Sequence, residues 1–447
     1  MPGYSFDDTI FALASGQGRC GVAVIRLSGP SSFCIAGKLA TNICVDRTAR
    51  LARLYHPGTH QLLDHALVLG FKGPHSFTGE DVVEFHVHGG MAVIESVFDA
   101  ISYLPDVRLA EPGEFSRRAF ENGKMDLTEV EGLADLIDAE TEAQKHQAVR
   151  QMQGELGQLY SHWRDGLIKL LAHIEATIDF AEEDIPDDLE YQAITQLENL
   201  LLTINDHLND GKRGQRLREG VSVVIVGPPN AGKSSLLNAI AKRDAAIISS
   251  TPGTTRDIVD VHMVLSGVPV ILSDTAGLRL TADDIEAQGV RRALDKNQQA
   301  DLSIVLLDGG SWPDIDDQTQ KLITEQSMVF VNKADLMDDD FVTQSYPVVS
   351  VKTGFGMDGF IEMLNGHVHE IASQSSSPVI TRERHRLSLG RCVHALEQGL
   401  SVWKQGSGSE LVAEDLRAAA TELGRITGRV DVEDLLDVIF ADFCIGK

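Results

Sequence analysis

The chain has 447 residues, 43 % apolar and 23 % charged, the make-up of an ordinary globular protein with room for two to four domains. Its 66 acidic and 39 basic side chains leave a formal charge of -27, which repels bulk nucleic acid and anionic membranes; action on RNA would need a local basic patch or a partner that supplies one. No stretch reaches the ~18 consecutive apolar residues of a membrane span, and MPGYSFDDTIFALASGQGRC lacks the basic and apolar segments of a signal peptide, so a cytoplasmic protein is expected.

Residues 1 to about 120 mix short β-branched runs with Gly-rich turns. Gly21–Leu27 and Asp81–Val87 read as strands and Met91–Leu104 as a helix, which predicts an α+β domain. From Leu127 the apolar residues recur at helical spacing (Leu127, Val130, Leu133, Leu136, Ile137), and the pattern continues through Trp163, Leu167, Leu170, Leu171 and Ile174. Pro186, in the acidic stretch AEEDIPDD, interrupts it. Helical spacing resumes from Leu197 to Leu208, and a basic stretch, Lys212–Arg218, leads into a strand.

The continuous run VSVVIV at 221–226 fits a parallel strand buried on both faces. Val268–Leu272, Leu302–Leu307 and Met328–Val331 alternate with helical stretches, the βαβ rhythm of a doubly wound sheet. After Ile371 a Ser-rich break, SQSSSP, precedes helix from about Thr381 to Phe443. The expected architecture is multidomain α/β and α+β. An α+β domain spans 1–120, a discontinuous helical domain 121–215 and 373–447, and an α/β domain is inserted over 216–372.

Gly227–Ser234 (GPPNAGKS) fits G-x-x-x-x-G-K-[ST] after a strand and before the helical stretch Ser235–Ala241. Its glycines let backbone N–H groups turn onto phosphate oxygens, Lys233 suits β- and γ-phosphate charge, and Ser234 suits Mg2+. Asp274-Thr275-Ala276-Gly277 follows a strand and suits a water-mediated Mg2+ contact and the γ-phosphate. Asn332-Lys333-Ala334-Asp335 follows another, and Asp335 offers two acceptors that guanine satisfies and adenine does not. Ser350-Val351-Lys352 is the expected loop over the base, and SSTPGTTRD (249–257) the expected first switch, with Thr255 on Mg2+. The motifs in this order predict a GTPase. The nucleotide set adds Asn230, Ala231, Gly232 and Ser235 from the P-loop and Ser249, Ser250, Thr251, Pro252, Gly253 and Thr254 from the switch.

A physical problem arises at the attacking water. The position after Asp274–Gly277, where many small GTPases carry glutamine, is Leu278, which cannot hydrogen-bond water. Arg256 and Arg279 are internal candidates for offsetting phosphate charge, and Asp283, Asp284 and Glu286 for orienting the water.

With these motifs, SFTGEDVVEFHVHGG, EPGEFSRRAF and the terminal CIGK (444–447), the chain resembles the MnmE (TrmE) family of tRNA modification GTPases over essentially its whole length. The resemblance implies an N-terminal tetrahydrofolate-binding and dimerisation domain, a helical domain and an inserted Ras-like P-loop G domain. It implies G domains that meet across their nucleotides with K+ in place of an arginine finger, Asn230, Ser249, Thr251 and Thr254 as K+ ligands, and Glu286 as the residue that orients water. Pro252 fixes φ and removes an N–H within that loop. Among the alternatives, a GTP-switched ribosome-assembly factor would carry a basic GxxG-containing RNA domain, and the chain shows no such segment. In a second alternative, a scaffold, the nucleotide would only control dimerisation.

The family acts with the FAD-containing protein MnmG in a heterotetramer, and the pair adds an aminomethyl or carboxymethylaminomethyl group to C5 of the wobble uridine of certain tRNAs. The one-carbon unit comes from a 5-formyl or methylene tetrahydrofolate. By motif, Arg26, Glu84, Lys124 and Lys447 correspond to folate-contacting positions, and Cys444 to the modification residue. The five cysteines form no CxxC, and Cys20, Cys34, Cys44 and Cys392 are expected as small packing residues. His86 and His88 alternate, but two histidines make no metal site, and a turn or pterin-pocket role is expected for His88-Gly89-Gly90.

Overall fold

The computed structural model describes residues 8–16, 18–41, 47–179, 187–210, 212–243, 260–274, 297–337, 345–372, 378–405, 408–430, 433–441 and 443–446. The chain forms two compact units, one of Met1–Ala134, Gln151–His162 and Leu423–Lys447, the other of Asp135–Arg150 and Trp163–Glu422.

The first unit is built on a six-stranded sheet: β1 (Thr9–Leu13), β2 (Ala23–Ser28), β3 (Arg50–Tyr55), β4 (Leu62–Phe71), β5 (Val82–Val87) and β6 (Val107–Leu109), in the order β3-β4-β5-β2-β1-β6. Among the described residues of this sheet, only the β1–β6 pair is parallel. Alternation along β2 divides its side chains. Ile25 and Leu27 join Phe85 and Val87 in a core closed by Ile35 and Leu39 of α1 (Ser32–Leu39) and Ile94 and Val97 of α2 (Met91–Ser102). A smaller cluster holds Ile10, Ala12, Ala110 and Phe115 of α3 (Glu114–Glu121), with Phe77 packed against it. The segment that follows, α4 (Leu127–Asp138), packs Leu127 and Val130 against Leu436, Phe440 and Phe443, so the last helix of the chain, Glu433–Ala441, docks in the N-terminal unit. Each such apolar side chain contributes about 1.5–3 kcal/mol when buried.

The second unit contains the inserted sheet: β7 (Val221–Val226), β8 (Asp260–Leu265), β9 (Val268–Asp274), β10 (Leu302–Asp308) and β11 (Ser327–Asn332), in the order β11-β10-β7-β9-β8. Four strands are parallel, as expected, and β8 adds an antiparallel edge through the Ser266-Gly267 turn, both residues at positive φ. Along β7, Val221, Val223 and Ile225 enter one core, with helices Lys233–Arg243 and Met357–Ile371, while Val224 and Val226 enter the other. The run VSVVIV is therefore buried on both faces. The helix Asp187–Leu208 runs against Glu383–Lys404, where Arg386 donates to Leu208 O (2.6 Å) and Asp210 (2.7 Å). Nearby, burial beside Trp163 pushes the His207 imidazole down to about 4.

Several expectations are refined. The basic stretch before β7 is a short helix, Arg213–Glu219. Among the described residues, the single helical run expected after Thr381 is three helices, Glu383–Lys404, Ser409–Thr427 and Glu433–Ala441. The expected break at Pro186 lies outside the described residues.

Candidate functional site

The P-loop follows β7, and its helix begins at Lys233. The Lys233 ammonium donates to Gly227 O (2.9 Å) and Pro228 O (2.8 Å), closing the loop on itself. Burial lowers the ammonium's pKa, with the Asp274 charge opposing. Ser234 Oγ donates to Asp274 Oδ2 at 2.5 Å, so a hydroxyl from the P-loop and a carboxylate from the end of β9 share one point. These are the hard oxygen donors that Mg2+ takes. Asn230 is exposed and left-handed (φ 63°), and its carboxamide oxygen suits a monovalent cation. Gly232 (φ 97°) sits where any Cβ would overlap the Asn332 side-chain amide.

That amide ties the site together. Asn332 Nδ2 donates to Ala231 O (2.7 Å) in the P-loop, and its Oδ1 accepts from Val351 N (3.1 Å) in the loop after β11. Asp335 accepts from Ser350 Oγ at 2.7 Å and lies 3.4 Å from Lys352 Nζ. The Ser350 hydrogen bond lowers its pKa, desolvation opposes, and Lys352 adds to the lowering, so Asp335 is a carboxylate at neutral pH. Lys333, left-handed at φ 65°, places its ammonium 2.6 Å from Asp308 Oδ2. The sequence motifs did not include Asp308; its signal is an acid at the end of β10, in register with Asn332. Ser249, Ser250, Thr251, Pro252, Gly253, Thr254, Thr255, Arg256, Thr275, Ala276, Gly277, Leu278, Arg279, Asp283, Asp284 and Glu286 lie outside the described residues, as do Cys44 and Lys447.

A second group of site residues gathers on the N-terminal sheet. Arg26 and Glu84 are cross-strand partners, joined Nε to Oε1 at 2.9 Å and mostly shielded. The guanidinium lies 5.3 Å from the Phe77 ring and 5.7 Å from the Phe115 ring, one from each of the two long family-like segments. His86 Nε2 stands 3.4 Å from the other Glu84 oxygen, whereas His88 bonds Asp64 (2.8 Å), so the two histidines serve different carboxylates. Lys124 Nζ donates to Pro74 O (2.9 Å) and Asn122 Nδ2 to Thr78 O (2.7 Å), which fixes the loop 74–80.

A buried ionic cluster anchors that loop. The fully buried Arg118 side chain reaches Asp8 (2.7 Å), Glu114 (3.0 Å) and Glu80 (3.2 Å), and Glu80 accepts from Ser28 (2.6 Å). Desolvation raises the Asp8 and Glu114 carboxyls, but the arginines outweigh it: Arg118 and Arg108 hold Asp8 below its ordinary value, and Arg108, the Glu111 N–H and Arg118 do the same for Glu114.

The C-terminal tail joins this unit. Gly113 N–H donates to Cys444 O (3.4 Å), and Ile445 forms an antiparallel bridge with Pro112. Gly446 has φ 100°, and a Cβ there would overlap the Leu13 carbonyl oxygen. Leu13 pairs with Ile25 and Ala12 with Arg26, so the tail lies beside β1, one strand from Arg26. Cys444 is an exposed thiol. Cys392 is buried, and desolvation pushes its thiol up to about 12. The packing role expected for Cys20 and Cys34 is corrected: both are exposed, Cys20 on the loop before β2 and Cys34 on a face of α1 that the buried Ser32, Ile35, Ala36 and Leu39 leave outside.

Comparison with known proteins identifies two family models, "GTP-binding protein TrmE N-terminus" over residues 9–124 and "MnmE helical domain" over 127–444. The chain is 52 % identical over 441 residues to a protein of Parvibaculum lavamentivorans named tRNA modification GTPase MnmE, covering 98 % of this chain and 100 % of that one. It is 46 % identical to the human mitochondrial protein named 5-taurinomethyluridine-[tRNA] synthase subunit GTPB3, over 98 % of this chain and 93 % of that one. The solved G domain of the T. maritima FeoB iron transporter matches 34 % of this chain and 99 % of its own at 25 % identity and a TM-score of 0.24.

Proposed function

The chain belongs to the MnmE family of tRNA modification GTPases, and from that membership we propose that it hydrolyses GTP to drive modification of the wobble uridine of tRNA. The observation that carries the GTP reading is Asn332, which joins the P-loop to the loop of Ser350–Lys352 beside an ionised Asp335. One carboxylate facing the N1–H and 2-amino group of guanine selects that base. Lys233 leaves the loop carbonyls to meet β- and γ-phosphate oxygens, and backbone amides at the helix start add partial positive charge. Ser234 and Asp274, with Thr255, would hold Mg2+, which neutralises phosphate charge.

Because Leu278 cannot position water, Glu286 takes that role, and Asn230, with Ser249, Thr251 and Thr254, would hold K+, which would offset phosphate charge where a second G domain faces the nucleotide. In the modification unit, Arg26, Glu84 and Lys124, with Lys447, take a tetrahydrofolate one-carbon donor. The half-buried Phe77 lies against Arg26 as an apolar wall, which suits a pterin ring, with the buried Phe115 behind the guanidinium. Cys444, exposed one strand from that pair, serves the uridine chemistry together with the FAD of MnmG. The division into a folate-binding and dimerising domain (1–120), a two-part helical domain (121–215 and 373–447) and a G domain (216–372) belongs to the same proposal, with a constitutive homodimer through the first.

The test compares wild type with Cys444→Ser. Hydrolysis faster in K+ than in Na+ for both proteins, with wobble modification restored in deletion cells by wild type alone, is expected. Equal slow rates in both salts would sink the K+ assignment, and loss of hydrolysis in Cys444→Ser would sink the separation of the two sites.

A further inference from the structure

Resting on the GTP reading, we propose that Asp308 is a positioning residue for guanine-nucleotide retention, acting through Lys333. Both oxygens of Asp308 are committed: Oδ1 accepts the Gly310 N–H (3.0 Å) and Oδ2 lies 2.6 Å from Lys333 Nζ. The first bond fixes the carboxylate in the turn that ends β10, so the second holds the lysine at a set point. The turn is locked to the neighbouring strand, because Gly309 N–H donates to Asn332 O (2.8 Å) and Asp308 is the register partner of Asn332. Lys333 itself has the left-handed backbone that a non-glycine residue adopts only when its surroundings enforce it.

The consequence is entropic. Lys333 lies between Asn332, which ties the phosphate loop to the base loop, and Asp335, which reads the base. Its four-carbon stem is the side chain in that motif with the most freedom to lose on binding. Held by Asp308, it is already in place along the purine when nucleotide arrives, so binding does not have to order it. Asp308 is partly exposed and borders a cavity of about 340 Å3 with Pro228 of the P-loop, Leu307 and Trp312.

Stopped-flow release of fluorescent mant-GDP, on the full chain, tests this with Asp308→Ala, Asp308→Asn, Lys333→Met and the double variant Asp308→Ala/Lys333→Met. Asp308→Ala should release GDP about 10-fold faster, the scale of one charge-assisted hydrogen bond. Asp308→Asn, which keeps an acceptor, should fall between it and wild type. In the Lys333→Met background, Asp308→Ala should change release by less than about twofold, because the two residues act as one unit. Wild-type release from Asp308→Ala, or an effect that multiplies with Lys333→Met, overturns the proposal while leaving the GTP reading intact. A wild-type protein that retains no mant-GDP overturns the GTP reading itself.

Discussion

Replacing Gly446 by alanine should free the C-terminal tail without unfolding the unit that holds it. The new Cβ meets the Leu13 carbonyl oxygen, a backbone atom that cannot swing aside, and φ of 100° is strained for any L side chain. Such a conformation costs about 1–3 kcal/mol. Against it stand the Gly113–Cys444 hydrogen bond and the Pro112–Ile445 bridge, and a hydrogen bond contributes about 0.5–1.5 kcal/mol net. Ile445 is 57 % exposed and adds little. The overlap with the Leu13 carbonyl adds to this strain, and the two together outweigh the anchors of the tail. It does not exceed the burial of Leu436, Phe440 and Phe443, at about 1.5–3 kcal/mol each, which keeps the preceding helix docked. Hydrogen exchange should show the Gly113 amide losing its protection, while scanning calorimetry moves Tm by no more than about 2 °C. Wobble modification in cells should fall as far as in Cys444→Ser, and GTP hydrolysis should persist. Full Gly113 protection together with wild-type modification would refute the claim that the tail's seat on β1 positions Cys444.

Asp335→Asn replaces a charged acceptor with an amide at the proposed base-reading position, and GTP affinity measured by calorimetry should fall roughly 10- to 100-fold, the range of a charged hydrogen bond. Asn230→Ala removes the carboxamide oxygen from the exposed left-handed corner of the P-loop; the ratio of hydrolysis rates in K+ and Na+ should collapse toward one while mant-GDP still binds. Glu114→Gln breaks a buried contact with Arg118 and Arg108 and should destabilise the N-terminal unit by about 1–3 kcal/mol at pH 7. Because the folded-state pKa of Glu114 is depressed, its contribution is present above the ordinary carboxylate value of 4.5 and is lost as pH falls through the folded value. The gap between wild-type and Glu114→Gln denaturation midpoints should thus narrow below about pH 4.5, and a gap independent of pH would show that the effect is steric.

The inserted sheet was legible because its strands are continuous apolar runs next to motif residues. Val221–Val226 has no exposed face to dilute the pattern, and the motif Gly227–Ser234, the proposed phosphate site, follows directly at its end. The N-terminal sheet was harder to read. Arg50–Tyr55 is an edge strand with Arg50, Leu51 and Arg53 exposed, so its alternation is weak, and Thr9–Leu13 is too short to show a period. Arg118, in a segment with the charge pattern of a solvated helix, is buried because Asp8, Glu80 and Glu114 converge on it from three places in the chain. The seat of Gly446 on Leu13 joins residues at opposite ends of the sequence, and no local pattern announces it. Asp308 was missed for a similar reason: its partner, Lys333, is brought beside it by strand register rather than by spacing.

Mass spectrometry of the wobble uridine in tRNA from cells deleted for this chain is the most direct test of the account. Loss of the C5-aminomethyl-type uridine, restored by the wild-type chain, is the predicted result. An unchanged level of modified uridine in the deleted cells would contradict it.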